Sequence, residues 1–255
     1  MFNIVAGTLL LPSARLADIF GPRILFICGI AWSGAATISL GFVNSYEVLV
    51  VCRALHAIGV AGYAPAGVSL LGTIYRPGPR KNIVFGVYGA LAPLGFFIGI
   101  LLGGLTTQYL NWRWYFWIGA AVIAVVAVVA FASVPHIVDQ NGDCDGGPAA
   151  TATTTTTPVA MDWWGLVTLV PGLGLLGYAL TDCATAPNGF ATPYIIVTLV
   201  LGVLLLGAAV YVEGWVAVDP LLPPSLFQAR YMKTLCCALF LSYGVYGIYM
   251  FYSTF

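Results

Sequence analysis

Unbroken apolar runs constrain this chain more than any other feature of it. There are eight, at about residues 2–14, 24–43, 47–74, 83–110, 114–134, 165–182, 193–212 and 235–255, and they carry almost no charge. A hydrocarbon core about 30 Å thick takes about 20 apolar residues of helix, and inside lipid only helices and closed barrels satisfy their own backbone groups. The runs are continuous rather than alternating, which selects helices. Charged residues make up 7% of the 255 and mean hydropathy is +0.96, whereas a soluble domain needs about 25% charge to cover its surface. The expected fold is all-α: a polytopic membrane protein with about eight transmembrane helices in a lipid bilayer. The first run is short for a span. With no basic residue ahead of it, it reads as a membrane helix cut short at its start rather than as a signal peptide.

Nine Lys and Arg balance nine Asp and Glu, so the basic excess that neutralises phosphates is missing and nucleic acid is not an expected partner. Six cysteines (Cys28, Cys52, Cys144, Cys183, Cys236, Cys237) show no CxxC spacing and read as small hydrophobes. No metal or cofactor is expected. Asn141, Asp143, Asp145 and Gly146 imitate the opening of a calcium loop, but Ala152 stands where a bidentate Glu is required.

Basic residues give the orientation, because they favour the cytoplasmic side. Arg15, Arg23, Arg76, Arg80, Lys81, Arg230 and Lys233 fall on one side if the runs alternate, and Arg113 falls on the other. The start of the chain is therefore expected outside. Trp112, Trp114 and Trp117 would anchor the outer interface, and Trp163, Trp164 and Trp215 the inner one. Residues 135–163, polar and then threonine-rich, read as a disordered cytoplasmic linker. It separates a first bundle, 1–134, from two membrane helices in 164–213 and from a second linker with one more helix in 214–255.

Three local patterns carry chemistry. Between the first two runs, Ala14, Arg15, Asp18, Gly21 and Arg23 form a short charged turn in which Asp18 can pair with either arginine. An ordinary basic cytoplasmic loop would look similar. In the third run Arg53 lies two turns inside the membrane from Glu47, with His56 one turn further on. An intramembrane cation is costly and marks function by default, although a long arginine can also snorkel to the interface. The fourth run sets Gly95, Gly99 and Gly103 four residues apart on one helical face, with Gly104 beside them, a spacing that lets two backbones approach closely. Pro93 removes a backbone hydrogen bond there and should kink the helix.

In order, these patterns resemble the major facilitator superfamily, and within it the fourteen-helix drug:proton antiporter branch that includes fungal multidrug and aminotriazole-resistance-like efflux proteins. RLADIFGPR resembles the gating loop between the family's second and third helices, with Ala14 where glycine is usual. CRALHAIGVAG is similar to the fourth-helix signature, with Arg53 at its basic position, His56 in place of glutamine and Ala57 in place of glycine. GALAPLGFFIGILLGG resembles the fifth-helix antiporter motif, with Ile100 where many members have proline. Asn111–Gly119 and Val218–Met232 are similar to the segments leading into the sixth helix and into the carboxy-terminal bundle.

The resemblance implies proton-coupled efflux of small amphipathic compounds, with Asp18 and Arg23 in a cytoplasmic gate and Arg53 and His56 near proton coupling. It makes 1–134 an incomplete amino-terminal six-helix bundle lacking its first helix, 164–213 an inserted pair and 214–255 the start of a truncated second bundle. Transport by this fragment alone is expected to be impaired. The partners implied are the bilayer, an amphipathic substrate, protons and a helix–helix partner completing the bundle, in the plasma membrane rather than the vacuole. A non-transporting protein that associates with a full-length relative is the alternative. An intramembrane enzyme is not expected, since no nucleophile, base or ligand set converges within the runs.

Overall fold

The computed structural model describes residues 1–133, 161–186, 189–217 and 231–253. The predicted linker lies almost wholly outside them, with Asn141, Asp143, Asp145, Gly146, His136 and Cys144. Arg230 and the bulk of the segment after Val218 lie outside them too.

The helices are α1 Phe2–Phe20, α2 Pro22–Gly41, α3 Tyr46–Ile74, α4 Pro79–Tyr109, α5 Trp112–Ser133, α6 Trp163–Asp182, α7 Pro193–Tyr211 and α8 Met232–Ser253. The described residues contain no strand. Seven helices, α1 through α7 with the π-helical turn Val212–Val216 that extends α7, are long and apolar enough to cross a bilayer. Proline opens α2, α4 and α7, where its missing N–H costs nothing. Asp162 caps α6 through Oδ1, which accepts from the Gly165 N–H at 2.9 Å.

Two expectations at the start of the chain are corrected. The first helix is not short: it runs 19 residues, to Phe20. The charged turn from Ala14 to Arg23 shrinks to one residue, Gly21, whose φ of 89° lies where side chains are disfavoured. Leu16, Ala17, Ile19 and Phe20 continue the apolar pattern past Arg15, and a helix that satisfies its own backbone has no reason to stop at the first charge.

Lipid tails are as apolar as leucine, so helices here must associate by close contact rather than by escaping water. The antiparallel α2 and α3 meet through glycine. A Cβ on Gly29 would stand 2.7 Å from the Tyr63 amide nitrogen, and one on Gly59 would stand 2.8 Å from that of Ser33. Trp32 Nε1 donates across the same seam to the Leu55 carbonyl at 2.9 Å. Helix α5 packs antiparallel on α2, with Trp117 seated on Gly41 and Ile123 on Gly34. Trp117 is thus a packing residue, its ring 4.6 Å from that of Phe42, whereas the expected inner anchors Trp163, Trp164 and Trp215 are exposed.

Helices α6 and α7 form their own glycine crossing, in which a Cβ on Gly202 would stand 2.9 Å from the Leu176 amide nitrogen. The pair docks on α1, with Gly174 against Thr8 and Gly177 against Ile4. Helix α4 differs: it touches α5 and the edge of α3, and its most apolar stretch buries nothing.

Substituting Gly59→Val should lower the melting temperature of the purified chain by about 2–10 °C, since its Cβ meets backbone that cannot move aside. A thermal-shift measurement in detergent checks this, with Gly7→Val, which meets open space, as the neutral control.

Candidate intramembrane site

The loosely held α4 leaves openings of about 580 and 690 Å³ between itself and α3, α5 and α2. They share Arg53, Gly95, Gly99, Tyr115 and Phe116, and so form one continuous groove. The size suits a drug-sized compound.

Arg53 projects into this groove from α3. Its guanidinium carbon lies 5.5 Å from the centroid of the Phe116 ring, a cation–π contact from α5. No carboxylate lines the groove among the described residues. His56, half-buried one turn along α3, sits 5.3 Å ring to ring from Phe2 of α1 and lines the same space. Tyr63, Thr37 and Thr106 add hydroxyls to a wall that is otherwise aliphatic and aromatic. The hydroxyl of Thr106 already donates to the Leu102 carbonyl at 2.8 Å, and that of Thr37 to the Ser33 carbonyl at 2.7 Å.

The glycine face of α4 borders the groove. Gly95, Gly99 and Gly103 line it, and no helix backbone comes close to them: a Cβ on Gly103 would stand 3.7 Å from the Tyr115 ring, one on Gly99 3.9 Å from its hydroxyl, and Gly95 and Gly104 have nothing within 4 Å. Helix α4 continues through Pro93, which is exposed.

The predicted gating residues lie elsewhere, around the junction of α1 and α2. Ala14 and Arg15 are half-buried on α1, Gly21 is the junction itself, and Arg23 is half-buried in the first turn of α2 with Nη1 lacking a hydrogen bond. Asp18 is exposed near the end of α1. At the end of the bundle away from Arg53, Lys81 ties the start of α4 to α3 by donating to the Gly72 carbonyl at 2.8 Å. At the Arg53 end, Arg113 bridges to Asn44 and the Val43 carbonyl. Asp182 clasps the α6–α7 hairpin, accepting from Tyr194 at 2.8 Å, Tyr178 at 3.2 Å and Thr185 at 3.1 Å.

Sequence reasoning missed the aromatic wall. Tyr115 and Phe116 lie in a motif read only as the approach to a helix, although two rings one and two positions past an anchoring tryptophan could have flagged a second face. It also missed the tight crossings at Gly29, Gly172 and Gly202, which have no four-residue repeat to announce them.

Long apolar helices around a part-polar groove with a charge facing it define a polytopic membrane protein. The sequence profile of the major facilitator superfamily matches residues 1–255, and the chain belongs to that superfamily. It is 32% identical to the low affinity ammonium transporter of Saccharomyces cerevisiae over 99% of this chain and 47% of that protein. It is 32% identical to the efflux pump terJ of Aspergillus terreus, over 98% of this chain and 46% of the other. With the aminotriazole resistance protein of Saccharomyces cerevisiae it shares 31% identity over 98% of this chain and 44% of the other. The chain thus spans about half the length of the curated relatives it matches.

Gly99→Leu should fill part of the groove without straining the fold, because its Cβ meets only a tyrosine hydroxyl at 3.9 Å. The expected result is a melting temperature within about 2 °C of the parent and loss of most of the fluorescence of an apolar dye that binds the purified chain.

Proposed function

We propose that this chain forms the amino-terminal part of a proton-coupled exporter of small amphipathic compounds, working in the plasma membrane. The observation that carries the reading is Arg53 facing a groove of about 690 Å³ inside the helix bundle, beside His56 and four aromatic rings. Apolar walls with a few polar groups accept many shapes of amphipathic molecule. A fixed guanidinium cannot lose its own proton, so its part in coupling is to favour the ionised form of a carboxylate brought near it. His56 is the titratable neighbour through which a proton can pass.

The relatives' names support export of toxic compounds as the activity, since an efflux pump and an aminotriazole resistance protein are among them. In alternating access, substrate binds near the midplane while bundles rock around it. The glycine face of α4, open along the groove, is the surface on which a further helix completes the bundle and slides. The Ala14–Arg23 stretch, with Asp18 and Arg23 at the helix junction, is assigned to the cytoplasmic gate.

The test is export of a fluorescent amphipathic dye from cells that make the complete transporter containing this chain, with and without a protonophore. Arg53→Ala, and equally Arg53→Lys, should cut protonophore-sensitive export by about tenfold or more while leaving the protein inserted, since a lysine keeps the charge and loses the planar face against Phe116. Full export by Arg53→Lys would refute the role given to Arg53.

A further inference from the structure

The inserted helix pair and the predicted gating stretch converge at the end of the molecule opposite Asp182. Helices α1 and α6 run antiparallel in fixed register: a Cβ on Gly177 would stand 3.4 Å from Cγ1 of Ile4, and one on Gly174 would stand 3.8 Å from Cγ2 of Thr8. Ile4, Thr8, Leu11 and Arg15 follow one another by four, three and four residues, which places them on one face of α1. From Thr8 to Arg15 is two turns, about 10 Å. Two turns back along α6 from Gly174 is Val167, half a turn from Gly165. The stem of Arg15 covers the remaining distance.

At Gly165 two acids meet. A Cβ there would stand 3.0 Å from Oε1 of Glu213, and closer still to Oδ2 of Asp162. Glu213 is only 9% exposed, and Oδ2 of Asp162 is buried without a hydrogen bond while Oδ1 caps α6. Two carboxylates turned into one desolvated corner need a cation. Helices α6 and α7 carry neither Lys nor Arg, and Arg15 is the one basic residue of α1. Its Nε is itself buried.

We infer that Arg15 of α1 is held between the carboxylates of Glu213 and Asp162, an electrostatic latch that fastens the inserted α6–α7 pair to the Ala14–Arg23 stretch. The latch makes the pair part of the amino-terminal body. Movement of the α1–α2 junction must carry α6 and α7 along or break the contact, so the inserted helices bear on the gate instead of serving as a spacer.

A double-mutant cycle on the melting temperature of the purified chain tests this. Arg15→Gln and Glu213→Gln should each lower it by about 6 °C or more, because each strands a buried charge, and the two together should cost no more than the worse single change. Asp162→Asn should also couple to Arg15→Gln, whereas Arg23→Gln should be additive with Glu213→Gln. Strict additivity of Arg15→Gln with Glu213→Gln, or no effect of Arg15→Gln, would overturn the latch, as would coupling of Glu213 to Arg23 in its place. A second readout does not depend on melting. The disulfide formed in membranes by Ile4→Cys with Gly177→Cys should drop several-fold in yield with Arg15→Glu and recover when Glu213→Arg is added. A yield indifferent to both changes contradicts the proposal.

Discussion

Everything in this molecule depends on how helices hold each other in a solvent that does not push them together. Lipid supplies no hydrophobic force between apolar surfaces, so stability comes from contact, and contact needs small residues where helices cross. The crossings at Gly29 with Gly59 and at Gly172 with Gly202 bring backbone atoms within reach of each other. Where such a crossing is missing, along α4, the bundle opens. The rigid seam between α2 and α3 and the groove beside α4 are two outcomes of one rule.

That opening is where the charge sits. A cation–π contact of the kind Arg53 makes with Phe116 is worth about 0.5–2 kcal/mol, while stripping all water from an ion costs several, so the ring could not compensate a dry arginine. Arg53 escapes that cost by staying exposed on the open side of the groove. The same accounting applies at Gly165, where two acids in a dry corner call for a cation from another helix.

Much of this was legible in the amino-acid order. Hydropathy placed the eight α-helices of the described residues, of which seven rather than eight are long and apolar enough to span. It misjudged the end of α1, because charge was taken to stop a helix, whereas backbone satisfaction and Gly21 decide where it stops. Arg53 stood out as a charge among apolar neighbours, and the groove around it did not, since a cavity arises from how five helices are placed and leaves no local pattern. Gly95, Gly99 and Gly103 were visible through their period, yet the tightest contacts fall on glycines that show none. Trp117 carried the same signal as Trp114 and took a different role, because only its face of α5 meets α2.

The central claim is that position 53 opens onto a water-accessible groove within the span. It is tested most directly by placing a single cysteine there in a chain otherwise free of cysteine and timing its reaction with a small, charged, membrane-impermeant thiol reagent. The account predicts a measurable rate, slower than at Tyr46, at the exposed start of α3, and reduced by a bound amphipathic dye. A rate equal to that at Tyr46 would place residue 53 at the interface, and no reaction, as expected for the lipid-facing Val128, would place it against lipid; either result contradicts the account.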